Sequence, residues 1–275
     1  MTTSLRGLDN LMDIPYYHID AFTGAVFSGN PAGVCLLGEW LADEVLQAIA
    51  AENRLSETAF LVGEGTDYAL RWFTPEAEVD LCGHATLAAA FVLHAHTGLD
   101  PEETITFQTL SGTLQVGRTG DLFSLDFPAR PGRPVPVAGE LTTALGMEPE
   151  EVYLARDILA VFGDCSAVAQ LRPDFERLAK LDCLGIIATA RDDSGGADFV
   201  SRFFAPSVGV PEDPVTGSSH STLIPYWAAR LGKDRLHALQ ISERGGELFC
   251  KNQGKRVEIS GRAVQYLSGT LHLAG

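Results

Sequence analysis

Arg71-Trp-Phe-Thr-Pro75, followed by Glu78-Val-Asp-Leu-Cys-Gly-His-Ala-Thr-Leu87, has a counterpart in the second half of the chain. There Arg202-Phe-Phe-Ala-Pro206 leads into Glu212-Asp-Pro-Val-Thr-Gly-Ser-Ser-His-Ser-Thr-Leu223. Each copy reads as a strand, a proline turn, an acidic loop, a glycine with a small donor, then an apolar helix. From Arg71 to Gly83 is 12 residues and from Arg202 to Gly217 is 15, so the two loops differ in length. A period this long does not make a solenoid. It makes two similar domains that face one another.

Outward from the first copy, the chain alternates apolar and polar residues over 16–22, 34–37, 58–62, 68–74, 105–109, 113–118 and 122–128, which predicts strands. Residues 42–53 carry apolar side chains at 45, 46, 49 and 50, the spacing of an amphipathic helix. Residues 85–96 are apolar almost throughout up to His94 and predict a helix buried nearly all round. Strands outnumber helices and the strand-to-strand loops are short, so the fold class is α+β with mainly antiparallel sheets. Pro128-Ala-Arg-Pro-Gly-Arg-Pro-Val-Pro136 can continue neither a helix nor a central strand and reads as the interdomain linker. At roughly 150 residues per domain, the 275 residues suit two domains. We place the first at 12–129 and the second from 130 onward. Residues 1–11 read as a loose extension, with the fold starting near Ile14.

Twenty basic against thirty-six acidic residues give a formal charge of −16. Such a surface repels phosphate backbones and anionic lipid, which argues against nucleic-acid and membrane-surface binding. The five cysteines are odd in number, with no C-x-x-C and no zinc spacing, so neither a disulfide framework nor a structural metal is expected. With no signal peptide and no long apolar run, a cytoplasmic location is expected. Nucleotide-loop, zinc-protease and nucleophile-elbow motifs have no match.

The duplication also suggests where chemistry can sit. The first N–H groups of a helix lack intrahelical partners and carry about half a positive charge, so such an end holds a carboxylate. Gly83 with His84, and Gly217 with Ser218, stand at two such ends. Ordinary capping by Ser218 or Thr86 is the simpler alternative. Glu57, between apolar and small neighbours, is a candidate proton carrier if partly desolvated, or else an exposed strand-start glutamate. Asp213 either shapes its loop or holds a substrate amine or hydroxyl. His84 abuts the turn glycine and reads as ligand-facing, whereas His94 and His96 read as helix-end residues and His220 is open. Cys82 is reactive only if the helix end stabilises its thiolate, and a buried inert thiol is the simpler reading.

Phe22-Thr-Gly-Ala-Val-Phe-Ser-Gly-Asn-Pro31, Ser56-Glu-Thr-Ala-Phe60, Arg71-Trp-Phe-Thr-Pro75, Gly83-His-Ala-Thr86 and Glu212-Asp-Pro-Val-Thr-Gly-Ser218 together resemble the phenazine-biosynthesis isomerase family. The resemblance runs from about residue 14 to the C-terminus. It implies the diaminopimelate-epimerase fold: two pseudo-symmetric domains, each a curved sheet around a central helix, with the active site in the cleft between them. It further implies that a C-terminal strand at 266–275 crosses back to complete the first domain, leaving 130–265 as the second, and that the protein is a cofactor-free homodimer. Glu57 would shuttle the proton, with His84 and Asp213 orienting the substrate. Gly83, Gly217 and Ser218 would bind its carboxylate, and Ser56 and Asn30 would also contact substrate. Related epimerases set a cysteine before each helix-end glycine. This chain has Cys82 at the first place and Thr216 at the second, which disfavours a cysteine-pair mechanism. An amino-acid epimerase using Glu57 with Cys82 or Asp213, and a non-catalytic binding protein, stand as the other two readings.

Overall fold

Most helices enter this chain where a strand returns parallel to one already laid down. The computed structural model describes residues 11–274. Its first half runs β1 (Leu11–Ala21), β2 (Asn30–Leu37), α1 (Asp43–Asn53), β3 (Glu57–Glu64), β4 (Asp67–Phe73), β5 (Glu78–Val79), α2 (Gly83–His96), β6 (Ile105–Thr109), β7 (Gly112–Thr119) and β8 (Leu122–Pro128). The second half continues β9 (Arg133–Val135), α3 (Gly139–Leu145), β10 (Glu151–Leu154), β11 (Ile158–Val161), α4 (Cys165–Gln170), α5 (Phe175–Leu178) and β12 (Ile186–Arg191). It closes with β13 (Phe199–Ala205), β14 (Val210–Asp213), α6 (His220–Leu231), β15 (Arg235–Gln240), β16 (Gly246–Asn252), β17 (Arg256–Gly261) and β18 (Ala263–Ala274).

In the first half β2–β3 and β4–β6 pair parallel, across α1 and α2, and the other neighbours pair antiparallel. In the second half β11–β12 and β13–β15 pair parallel, across α4–α5 and α6. The same ladder is therefore built twice, as two facing units of an α+β fold. β8 pairs antiparallel with β17 to join them, and β18 pairs along β1. The extension read at residues 1–11 lies outside the described residues except for Leu11, which already opens β1. That strand starts ahead of Ile14 because its partner, β18, is more than 250 residues away and invisible to local patterning.

The repeat is also chemical. Arg71 forks onto Glu78 through Nε and Nη2, both at 2.7 Å, and Arg202 forks onto Glu212 at 2.7 and 2.8 Å. Each guanidinium also lies over the phenylalanine two residues on, Phe73 at 5.1 Å and Phe204 at 5.0 Å. A planar fork suits both tasks at once.

α2 is buried along nearly its whole length, from His84 to Leu93, as its unbroken apolar sequence requires. Each large side chain it buries, such as Leu87 or Leu93, contributes about 1.5–3 kcal/mol. α6 is the matching helix of the second half, with Leu223, Ile224 and Trp227 buried. Pro225 stands inside it and has no N–H to give to the carbonyl of Ser221. Arg130 of the proline-rich segment donates to that carbonyl instead, at 2.8 Å. The linker is thus docked on α6, and within it β9 pairs with β10 as a short edge strand, an arrangement proline tolerates.

Candidate active site

The start of α2 and the turn that leads into α6 lie almost in contact. A Cβ added to Gly83 would lie 3.8 Å from the Gly217 Cα, and one added to Gly217 would lie 3.9 Å from the Gly83 Cα. The Phe127 ring covers Gly83 and the Phe22 ring covers Gly217, at 3.6 and 3.7 Å from those positions. Neither helix start has a side-chain cap. Capping by Thr86 or Ser218 is therefore not what these residues do. The Thr86 hydroxyl donates back to the Cys82 carbonyl at 2.5 Å, and His220 Nδ1 donates to the Thr216 carbonyl at 2.8 Å. Each bond braces the carbonyl just before the glycine and leaves the helix-start amides of Gly83–His84 and Gly217–Ser218 without a side-chain acceptor. His220 is fully buried, and burial pushes its imidazole down to about 4, so the neutral tautomer makes this bond.

Glu57 opens β3, in register with Ala32 of β2. Its Oε2 lies 3.1 Å from His84 Nε2, with side-chain exposures of 19% and 7%. The pair lacks hydrogen-bond alignment, and neither atom has another hydrogen-bond partner. On its other side, His84 Nδ1 lies 3.5 Å from Cys82 Sγ. Burial works against an imidazolium here, but the Cys82 sulfur and the Glu57 carboxylate overcome it and hold His84 well above the ordinary histidine range. Burial and the nearby Glu57 charge push the Cys82 thiol up, while its contact with His84 pulls the other way. Glu57, Cys82 and His84 place donor atoms within 4.8 Å of one another. His84 stands between the other two with one nitrogen toward each, so its ring fills the place a shared ion would need.

Asp213 ends β14 and reaches the same point from the second half. Asn30 donates to its Oδ1 at 2.7 Å and Thr216 to its Oδ2 at 2.5 Å. Burial raises its carboxyl to about 6, against the opposing pull of His84 and these hydrogen bonds. Thr216, which spends its hydroxyl on Asp213, is not free to act as a base. Gln240 was not among the expected residues. Its amide accepts from Thr216 N–H at 2.9 Å and donates to the Asp213 carbonyl at 2.8 Å, fixing the turn before α6. Nothing in the local sequence marks it, because its partners lie 24 and 27 residues away.

The structure brings together Glu57, His84, Asp213, Gly83 and Gly217, with Ser218 on the turn beside them. Asn30 is there in another capacity. It is fully buried, donates to Asp213 and the Val215 carbonyl, and accepts from Ser56 at 3.3 Å. Its amide is thus committed to protein partners, Asp213 foremost. His94 and His96 lie in the last turn of α2. A separate surface hollow of about 830 Å³ between α3 and α5, lined by Glu140, Asp174 and Lys180 among others, contains none of these residues. Among the described residues, no helix is long and apolar enough to cross a membrane.

A sequence model described as phenazine biosynthesis-like protein matches residues 19–269. A relative from Pseudomonas aeruginosa, described as an uncharacterized isomerase, is 54% identical across 95% of this chain and 100% of its own length. A crystal structure from the phenazine biosynthesis PhzF family of Enterococcus faecalis is 49% identical, covers 95% of this chain and 100% of that one, and has a TM-score of 0.92. A hydroxyproline epimerase from Agrobacterium vitis shares the fold alone, at 12% identity and a TM-score of 0.62, over 96% of this chain and 93% of that one.

Proposed function

The chain belongs to the phenazine biosynthesis-like family, and from that premise we propose that it is an isomerase that moves a proton within a small carboxylate-bearing substrate, with Glu57 as the acid–base group. The observation that carries this reading is the meeting of the α2 start at Gly83 with the turn at Gly217 that leads into α6, with the Glu57–His84 pair beside them. A substrate carboxylate rests on the helix-start amides, and Ser218 adds a hydroxyl. Asp213 accepts from a substrate amine or hydroxyl. Glu57 takes a proton from one carbon, the electron pair shifts through the adjoining double bond, and Glu57 returns the proton to a second carbon on the same face. Electrons and protons balance within the substrate, so the step calls for no redox partner or other cofactor. His84, whose imidazole is held well above the ordinary histidine range, stands 3.1 Å from Glu57 Oε2 and orients it toward the substrate.

A second reading, epimerisation, has one observation in its favour. Asp213 titrates at about 6 and approaches from the half opposite Glu57, as a second base on the other face would. Heavy water distinguishes the two. The wild type and Glu57→Gln are incubated with amino and hydroxy carboxylates and followed by NMR. Isomerisation or deuterium uptake that falls at least ~100-fold in the variant, with binding retained, supports the first reading. Deuterium at a stereocentre with inversion supports the second. Exchange unaffected by Glu57→Gln overturns the assignment of Glu57.

A further inference from the structure

The turn between β15 and β16 belongs to the second half, yet its side chains hold the loop that carries Asn30 in the first. Arg244 Nε donates to the Gly29 carbonyl at 2.8 Å, and its Nη2 donates to the Ser28 carbonyl at 3.0 Å and to Asp20 Oδ1 at 2.7 Å. The other oxygen of Asp20 accepts from Phe27 N–H at 3.0 Å, and Gly29 N–H donates to the Gly245 carbonyl at 2.8 Å. Asp20 is only 2% exposed, so this is a buried pair that is costly to break from either side. Gly29 has a φ of +69°, and a Cβ there would overlap the Ala21 carbonyl, so the loop doubles back as only glycine allows. The next residue is Asn30.

The same turn also grips the other side of the Asn30–Asp213 bond. Ser242 Oγ donates to the Pro214 carbonyl at 2.7 Å and accepts from Gly245 N–H at 3.1 Å. Pro214 directly follows Asp213. A single turn therefore holds the residue before Asn30 with Arg244 and the residue after Asp213 with Ser242.

We propose that the Ser242–Gly245 turn is a positioning element for the active site, in which Arg244 seats Asn30 against Asp213 and so sets the register of the two halves across the cleft. The inference rests on the reading of Asp213 as a substrate-holding group. Its test uses the ligand-free protein and reads no turnover, so it can fail while the Glu57 exchange experiment succeeds, and the reverse.

The test follows the Asp213 carboxyl by NMR titration and amide exchange in residues 22–30 and 213–217 by mass spectrometry, in wild type, Arg244→Met, Arg244→Lys and Asn30→Ala. The groups facing Asp213 are Asn30, Glu57 and His84 from the first half and Thr216 from its own. Losing the Asn30 bond, which favours the charged form, moves the Asp213 midpoint up by about one pH unit. Arg244→Met gives that shift together with at least ~10-fold faster exchange in both segments. Arg244→Lys gives most of it, because a point charge retains Asp20 but cannot also reach the two carbonyls. In the Asn30→Ala background Arg244→Met adds no further shift. An unmoved midpoint in folded Arg244→Met, or a shift that adds fully to that of Asn30→Ala, overturns the proposal. If Arg244→Met does not fold, Ser242→Ala, which leaves the Asp20 pair intact, decides by the same two readouts.

Discussion

Replacing Asp213 with asparagine makes the protein more stable at neutral pH and leaves it unchanged in acid. The carboxyl lies at about 6 in the folded protein against 3.8 for the free side chain. Between those values the folded state binds more protons than the unfolded chain, so wild-type stability falls as pH rises. The contribution is complete below about pH 4 and lost as pH passes 6. Some two pH units at 1.36 kcal/mol each set a ceiling of about 3 kcal/mol. Asp213 keeps partial solvent contact, so screening brings the expected gain to about 1–2 kcal/mol at pH 7. Asparagine can keep the geometry: its carbonyl accepts from Asn30, and its amide donates to the Thr216 hydroxyl. Urea unfolding of both proteins from pH 4 to 8, at constant ionic strength, gives the difference. Coincident fluorescence and circular dichroism transitions license a two-state fit. A difference that stays flat across this range, or one that favours wild type increasingly above pH 6, refutes the reasoning.

Gly83→Ala and Gly217→Ala meet neighbours only at 3.6 Å or more, so each keeps its melting temperature within a few degrees. The added methyl nevertheless stands between the two helix starts, and carboxylate binding by calorimetry falls at least ~10-fold. In Glu57→Gln the His84 imidazole loses a partner that raises it, so its NMR titration midpoint moves down. Because His84 is raised in the folded state, its stabilisation is full below about 6.5 and disappears as pH rises past the folded value; that loss is smaller in the variant. Arg202→Met strands Glu212 and costs about 3–5 kcal/mol by urea unfolding. Arg71→Met costs less, since the Arg71 side chain is 22% exposed against 10% for Arg202. Equal losses would count against the burial argument.

What the sequence made legible was whatever repeats locally. Alternation located the first-half strands to within a few residues, the apolar run from 85 announced α2, and the two Arg-to-helix stretches announced the duplication. What it hid was held by bonds between residues far apart. Gln240 acts 24 residues from Thr216, and Arg244 acts 215 from Gly29, so no local pattern marks either. Asn30 was legible as a candidate site residue, but its bond to Asp213 was not, because both its burial and that bond come from packing between the halves. Thr86 and Ser218 are of residue types that cap helices, but the cap positions fall on Cys82 and Ser219, and Thr86 bonds backward to a carbonyl.

The duplication also explains why the site has one glutamate and one aspartate rather than two of either. Arg71 and Arg202 are counterparts, so Trp72 matches Phe203. Trp72 pairs with Ala59 and Phe203 with Ile187, so Glu57, two before Ala59, matches Gly185. On the other flank Trp72 pairs with Val79 and Phe203 with Asp213, so Asp213 matches Val79. Each half thus carries an acid where its counterpart carries none. At Gly185 no side chain could stand, because a Cβ would overlap the Phe203 ring. The shared frame supplies two helix starts suited to one anion, a task that symmetry serves. The proposed proton transfer proceeds on one face, which symmetry would hinder, since a second glutamate across the cleft would oppose the first. Keeping the frame and dividing the acids between the halves meets both requirements, and it predicts that Gly185→Glu would restore no activity to Glu57→Gln.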